Sequence, residues 1–195
     1  GNHGSPYTTQ NSEYVVASTR FSVPFGDQSP SIKTYKENFR GTISFIKVNQ
    51  ESGRMNLAFQ IAMPGFDYDL ARPGKGVSGD WVFFTSYNSE EANTLLEINA
   101  SKNDKDFIAA VNWKLAEKYV AEGKAKDYPA TYYNNYIDHA TQTAKSDILK
   151  SVKMLDPRDC PGMIYFLPTP KSPHGVDVDP SGEYIAAGGK LAALI

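Results

Sequence analysis

Two histidines, each followed by a glycine, stand at matching places near opposite ends of the 195-residue chain. After each His-Gly pair comes a polar turn, then a tyrosine and a short apolar run. The spacing from His3 to Tyr14 is one residue longer than the spacing from His174 to Tyr184. Neutral imidazole is a good ligand for copper and zinc, so a fold that brings both rings together would offer a transition-metal site. Read alone, either histidine is an ordinary loop residue.

A third stretch of the same kind, residues 76–85, lacks the histidine. Three copies of a turn, an aromatic residue and an apolar run indicate a repeat architecture. The order of strand, His-Gly pair, turn and second strand is typical of β-propellers at the place where one blade passes to the next. Residues at that place face the central channel. The sequence therefore predicts an all-β fold, an incomplete β-propeller of about two to three blades with helical insertions.

Apolar runs bounded by turn residues predict the strands of these blades. The predicted strands are residues 13–19, 42–49, 55–62, 81–86, 107–112, 163–167 and 184–187. Residues 81–86 and 184–187 are interpreted as inner strands, and residues 113–122 as an amphipathic helix ended by Gly123. Residues 20–39 and 64–78 are predicted to be connections, and residues 128–152 a helix-permissive insertion on the rim.

Acidic side chains on the predicted connections form a second set of candidates. They are Asp67, Asp69, Asp80, Glu90, Asp104 and Asp106. Oxygen-rich loops can hold a hard cation such as calcium. Aspartate in a turn, however, usually bonds to its own backbone. His139 lies in the predicted insertion and is the weakest of the candidate ligands.

Composition excludes several classes of function. The net charge of −2 gives no general electrostatic reason to expect nucleic acid or an anionic membrane as a partner. No apolar run reaches the roughly 20 residues of a transmembrane helix. The single cysteine, Cys160, allows no internal disulfide and is predicted to be buried or inert. The sequence has no phosphate loop, nucleophile elbow or HExxH motif, and its abrupt ends predict a piece of a longer protein.

Four pieces of the sequence together resemble the nitrous-oxide reductase family, in its N-terminal seven-bladed propeller. They are Asn2-His3-Gly4, the Phe66-Asp67 turn, residues 85–90 (TSYNSE) and residues 168–191 (PTPKSPHGVDVDPSGEYIAAGGKL). The last piece is long and specific, and a His-Gly pair alone would be weak. The resemblance extends over most of the chain.

The resemblance implies a tetranuclear copper–sulfide cluster in the propeller hub, bound by seven histidines, where nitrous oxide is reduced to dinitrogen and water. It also implies a periplasmic homodimer with a C-terminal cupredoxin domain, supplied with electrons by a cytochrome c or a small copper protein. Residues 1–195 would be part of the N-terminal propeller domain, with the cupredoxin domain outside this chain. Such a fragment is expected to be inactive by itself.

Carried over residue by residue, the resemblance matches His3 and His174 to the third and fourth cluster ligands. Asp67 resembles the acid beside the cluster. Asp69 is its rival, because the flanking loop is longer in this chain.

The resemblance also implies a calcium site near the hub. Tyr87, Glu90 and Asp106 match three of its ligands, with Asp104 as an alternative to Asp106. The asparagine of that site is Ser172 in this chain. Two other functions stay open, a propeller binding module without catalysis and a structural piece of some larger enzyme.

Overall fold

A computed structural model of the chain describes residues 7–18, 23–24, 39–63, 67–88, 106–129, 137–138, 143–144, 151–169 and 173–189. These residues are mostly in β-strands, and they form several sheets with mainly antiparallel pairing, none of which closes on itself within the described part. The predicted fold class, an incomplete β-propeller, is therefore confirmed.

The strands are numbered in chain order. They are β1 Tyr7–Thr8, β2 Tyr14–Ser18, β3 Val23–Pro24, β4 Phe39–Val48, β5 Met55–Met63, β6 Asp67–Pro73, β7 Trp81–Asn88, β8 Phe107–Asn112, β9 Lys126–Pro129, β10 Ile137–Asp138, β11 Thr143–Ala144, β12 Ser151–Leu155, β13 Ile164–Pro168, β14 Pro173–Val178 and β15 Ile185–Gly189. The helices among the described residues are α1 Trp113–Ala121 and the short 3-10 helices Gly76–Ser78 and Pro157–Asp159.

The first sheet has the strand order β1-β2-β4-β5-β12-β9, with β3 paired to β4. Alternating apolar residues of β2, β4 and β5 face the core, among them Val16, Phe45 and Ile61, which are buried. The predicted hairpin of β4 and β5 is confirmed, as is its adjacency to β2. β12 pairs with β5 in the parallel direction, and β9 forms the far edge of the sheet.

Helix α1 packs on this core through Trp113, Ala116 and Tyr119, all buried. It begins where the Asn112 side chain accepts the N–H of Leu115 at 2.9 Å, a normal N-terminal cap. The predicted amphipathic helix is confirmed. No helix among the described residues combines the length and the apolar character that a membrane crossing requires.

Two predicted segments that contribute strands to the first sheet are wrong, because strands occur where connections were expected. The insertion at residues 128–152 is wrong at both ends, since β9 and β12 pair with each other and extend the first sheet. β12 shows its strand character in the alternating burial of Val152 and Met154. Within the predicted loop at residues 20–39, β3 pairs with the start of β4.

The second sheet has the order β13-β8-β7-β6, and β14 and β15 form a separate two-stranded sheet. The connection predicted for residues 64–78 is therefore wrong, because β6 lies within it and is the first strand of this sheet. In chain order, β7 is the second strand of this sheet, and β15 is the second strand of the pair with β14. The polar residues of β6, Asp67, Asp69 and Arg72, hide its strand character in the sequence.

Two of the three predicted copies of the repeat are confirmed by turns with the same hydrogen bonds. The Tyr14 N–H donates to Thr9 Oγ1 at 3.1 Å, and the Tyr184 N–H donates to Asp179 Oδ1 at 2.9 Å. In the opposite direction, the N–H of Thr9 donates to the Tyr14 carbonyl, and that of Asp179 donates to the Tyr184 carbonyl. β1–β2 and β14–β15 are thus equivalent hairpins, and β6–β7 is the hairpin between them.

The turns of the three hairpins lie against one another, and we call this side of the molecule the turn end (residues 9–14, 73–81 and 179–184). The N–H of Val77 donates to the Ser181 carbonyl at 3.3 Å. A β-carbon added to Gly79 would lie 2.8 Å from the Gln10 side-chain oxygen. The first strands of the hairpins also contact one another, with β6 between β1 and β14.

Candidate functional site

His174 lies inside β14, at a β-bulge. Read alone, it was expected to be an ordinary loop residue, and that expectation is wrong. Pro173 pairs with Gly189 and Gly175 pairs with Gly188, so His174 is the extra residue of the bulge. Because the bulge shifts the alternation by one residue, Pro173 is buried on the same face as Val176. The His174 side chain points away from that face and is 52% exposed.

Asp69 lies at a second bulge, in β6. Tyr68 pairs with Ser86 and Ala71 pairs with Phe84, which leaves Asp69 and Leu70 opposite the single residue Thr85. The Asp69 side chain is only 1% exposed. Bulges beside active sites commonly re-aim a side chain, so the two bulges mark this region as a candidate site.

The two bulges bring His174 and Asp69 together. His174 Nε2 lies 3.3 Å from Asp69 Oδ2. A buried carboxylate is costly unless a charged or hydrogen-bonding partner compensates it, so this contact helps to account for the burial of Asp69. Of the two rival acids, the structure brings Asp69 to the histidine. Asp67 begins β6 two residues earlier, and its side chain lies outside the described part.

Two hydroxyl groups hold the backbone of this site. Ser18 Oγ donates to the Asp69 carbonyl at 3.0 Å. Thr85 Oγ1 accepts the Leu70 N–H at 3.0 Å and donates to the His174 carbonyl at 3.5 Å, the outer limit of a hydrogen bond. Strands β2, β6, β7 and β14 therefore converge on the Asp69–His174 contact.

A second layer of contacts fixes how the first strands are aligned. Arg72 pairs with Asp177 at 2.6 Å, and its guanidinium lies 4.6 Å from the centre of the Tyr7 ring. Asp69 precedes Arg72 by three residues, and His174 precedes Asp177 by three. β6 and β14 therefore run side by side in the same direction. Through its ring contact with Arg72, Tyr7 aligns β1 with these contacts, which we call the Arg72 layer (Tyr7, Arg72 and Asp177).

The calcium candidates are only partly described. Tyr87 lies at a third irregularity, because Asn88 pairs with Asp67 while Ser86 pairs with Tyr68. Asp106 is buried, and its carbonyl accepts the N–H of Thr169 at 3.2 Å. The other candidates for this site lie outside the described residues: Glu90, Asp104 and Ser172.

The described residues contain no group of three or more His, Cys, Asp or Glu side chains that could hold a metal ion. His3 and His139 lie outside this part of the chain. The donor chemistry at His174 nevertheless fits copper, since imidazole suits copper and a carboxylate on the other ring nitrogen is its usual support. Cys160 is buried as predicted, and burial raises the pKa of its thiol, which disfavours a reactive thiolate.

No pattern in the sequence indicated the roles of Thr85 and Arg72. Thr85 belongs to a piece that carries the family resemblance, but only the fold shows its hydroxyl between two bulges. Arg72 was hidden because β6 was interpreted as a connection.

No family model matches the chain. Two curated proteins named nitrous-oxide reductase are similar to it. The one from Pseudomonas fluorescens is 25% identical over 191 residues, 97% of this chain and 25% of the relative. The one from Stutzerimonas stutzeri is 26% identical over 183 residues, 93% of this chain and 25% of the relative. The chain thus spans about a quarter of the length of these relatives, and the similarity supports a segment related to nitrous-oxide reductases.

Proposed function

We propose that the chain is a segment of a copper-dependent nitrous-oxide reductase, and that His3 and His174 are ligands of its catalytic copper–sulfide cluster. The observation that carries this proposal is the Asp69–His174 contact, formed by bulges on two neighbouring first strands. A surface histidine has no need of a buried acid beneath it. A metal ligand does, because the acid fixes the ring orientation and raises the basicity of the ligand.

The alignment of the strands supports His3 as the second ligand. The Arg72 layer joins Tyr7, Arg72 and Asp177 on the three first strands. Asp69 and His174 lie three residues before this layer, and His3 lies four residues before Tyr7. Because the three turns lie together at the opposite end, Tyr7 begins β1 on the side of the Arg72 layer that faces away from the turns, and this direction of β1 supports His3 as a ligand.

In this proposal each described residue has a definite task. Asp69 Oδ2 lies 3.3 Å from Nε2 of His174 and would hold a proton on that nitrogen, so that Nδ1 would be the atom that binds copper. The sheets hold the ring in place before copper arrives, so ligation requires little reorganisation. Bound copper supplies the redox chemistry, in which nitrous oxide takes up two electrons and two protons to give dinitrogen and water.

The wider assignments belong to the whole protein. Residues 1–195 form part of an N-terminal propeller domain, and a cupredoxin domain outside this chain delivers electrons from a cytochrome c or a small copper protein. The whole enzyme is a periplasmic homodimer. Calcium binds near Tyr87, Glu90 and Asp106. The isolated chain is inactive because its two ligands cannot assemble the cluster.

The test replaces His174 with alanine in the full-length protein. We expect His174→Ala to lower the copper content, to remove the visible absorption of the cluster and to abolish nitrous-oxide reduction. His3→Ala should give the same losses. His139→Ala is the matched control, since it removes a histidine that is not proposed as a ligand, and it should retain copper and activity. An intact cluster in His174→Ala would refute the proposal.

A further inference from the structure

We propose that Thr85 is a positioning residue, whose hydroxyl sets how the His174 ring meets the Asp69 carboxylate. The arrangement requires no metal. Only its consequence for copper rests on the function proposed above.

The first argument is the place of the Thr85 hydroxyl in the β6 bulge. Two residues of β6, Asp69 and Leu70, face one residue of β7, so the regular ladder of backbone hydrogen bonds is interrupted there. The Leu70 N–H instead donates to Thr85 Oγ1 at 3.0 Å. A side-chain oxygen thus satisfies a bulge donor, and it fixes the backbone immediately after Asp69.

The second argument is the link to the other strand. The same hydroxyl donates to the carbonyl of His174 at 3.5 Å. A hydroxyl can accept one hydrogen bond while it donates another, which few other side-chain groups of this size can do. One atom therefore connects the backbones on both sides of the Asp69–His174 contact.

The third argument is the rigidity of the group. Thr85 is fully buried, with 0% exposure. Its β-branched side chain has few allowed χ1 rotamers, so the direction of the hydroxyl is fixed by the strand. Valine has nearly the same shape but would leave the Leu70 N–H facing a methyl group, whereas serine would keep the hydroxyl.

The experiment compares Thr85→Val, Thr85→Ser and Thr9→Val in the metal-free full-length protein, by hydrogen–deuterium exchange. Loss of the hydrogen bond to the partly buried Leu70 N–H should speed exchange of this amide about tenfold in Thr85→Val. The β14 segment around His174 should also exchange faster. Thr85→Ser should resemble the unmodified protein. Thr9→Val is the matched control, because it removes a buried hydroxyl that accepts the Tyr14 N–H at the turn end.

A crystal structure of metal-free Thr85→Val gives the second measurement. The 3.3 Å separation between His174 Nε2 and Asp69 Oδ2 should widen in this variant and stay unchanged in Thr85→Ser and Thr9→Val. An unchanged separation in Thr85→Val would overturn the proposal. So would a Thr85→Ser variant that behaves like Thr85→Val, or faster exchange spread evenly over all strands, since these results indicate a purely structural role.

Copper content separates this inference from the proposed function. If both hold, copper-loaded Thr85→Val should lose copper to a chelator faster than Thr85→Ser. If His174→Ala keeps the full cluster, the copper function fails, while the two metal-free measurements still support or refute the role of Thr85.

Discussion

The two ends of the three hairpins differ in regularity. At the turn end, two turns have the same hydrogen bonds, and neighbouring turns meet through their backbones. At the other end, which we call the bulge end, strand pairing is interrupted at Asp69–Leu70, at Tyr87 and at His174. Three of the candidate site residues lie at these interruptions. The repeated hydrogen bonds thus stabilise the turn end, and the interruptions of regular strand pairing place the candidate site residues at the bulge end.

The physical reason is that the two ends are stabilised by different groups. Backbone-to-backbone hydrogen bonds, together with side chains that bond within their own turn such as those of Thr9 and Asp179, hold the turn end. The bulge end has lost part of its ladder, and the hydroxyls of Ser18 and Thr85 make contacts there that strand carbonyls and amides make elsewhere. Stability should therefore be most sensitive to changes at the turn end, and metal binding to changes at the bulge end.

The largest effect is expected from Gly182→Ala at the turn end. Gly182 has a φ of +79°, and an added β-carbon would overlap the carbonyl oxygen of Lys75 in the neighbouring turn. The conformational strain and the backbone clash together should lower the free energy of unfolding by about 3–5 kcal/mol. Chemical denaturation of the metal-free protein measures this change.

Gly53→Ala is the matched control for this prediction. Gly53 has a similar φ of +68°, but nothing lies within 4 Å of an added β-carbon. It should cost only about 1–2 kcal/mol, the conformational part alone. Equal losses in the two variants would show that contact between neighbouring turns contributes nothing. A Gly182→Ala protein that folds fully yet binds no copper would contradict the division between the ends.

An intermediate effect is expected from Asp69→Asn at the bulge end. The amide keeps the shape of the carboxylate but removes the negative charge beside His174, so affinity for copper should fall about 10–100-fold. The metal-free protein should change in stability by less than about 1 kcal/mol, since the lost contact is offset by a smaller desolvation cost. Chelator competition and thermal unfolding measure the two quantities.

Asp67→Asn is the control that separates the rival acids. Asp67 lies on the same strand, and its replacement should leave the affinity for copper within about threefold if Asp69 is the supporting acid. A large loss with Asp67→Asn and none with Asp69→Asn would assign the support to Asp67 instead.

The turn end was largely predictable from the sequence, because turn residues and apolar runs are local signals. The repeated spacing before Tyr14 and Tyr184 identified equivalent hairpins, and the strand at β8 was predicted with its full range. Helix α1 was predicted from its apolar periodicity and the glycine that follows it.

The bulge end was not predictable, because bulges depend on pairing with another strand. β6 carries Asp67, Asp69 and Arg72 within seven residues, a composition typical of a loop. Its strand character comes from β7 on one side and the first strands on the other. The resemblance supplied the candidates His174 and Asp69, but only the fold brings them within 3.3 Å of each other.

The smallest effect is expected at low pH, from Asp179, whose equivalent in the other turn is Thr9. The Ser181 hydroxyl and the N–H groups of Tyr184, Ser181 and Gly182 lower the pKa of Asp179 from 3.8 to about 2.

Because this pKa is lower in the folded state, the contribution of Asp179 to stability is present above pH 3.8 and is lost as the pH falls toward 2. Exchange protection of the Tyr184 amide should decline over this interval and become independent of pH in Asp179→Asn. The first turn titrates through Glu13, whose pKa is raised by burial but lowered overall by hydrogen bonds from Thr9 and Asn11. Protection of the Tyr14 amide should therefore follow the same pH curve with or without Asp179. A change in the protection of the Tyr14 amide in Asp179→Asn would mean that the two turns are coupled and do not titrate independently.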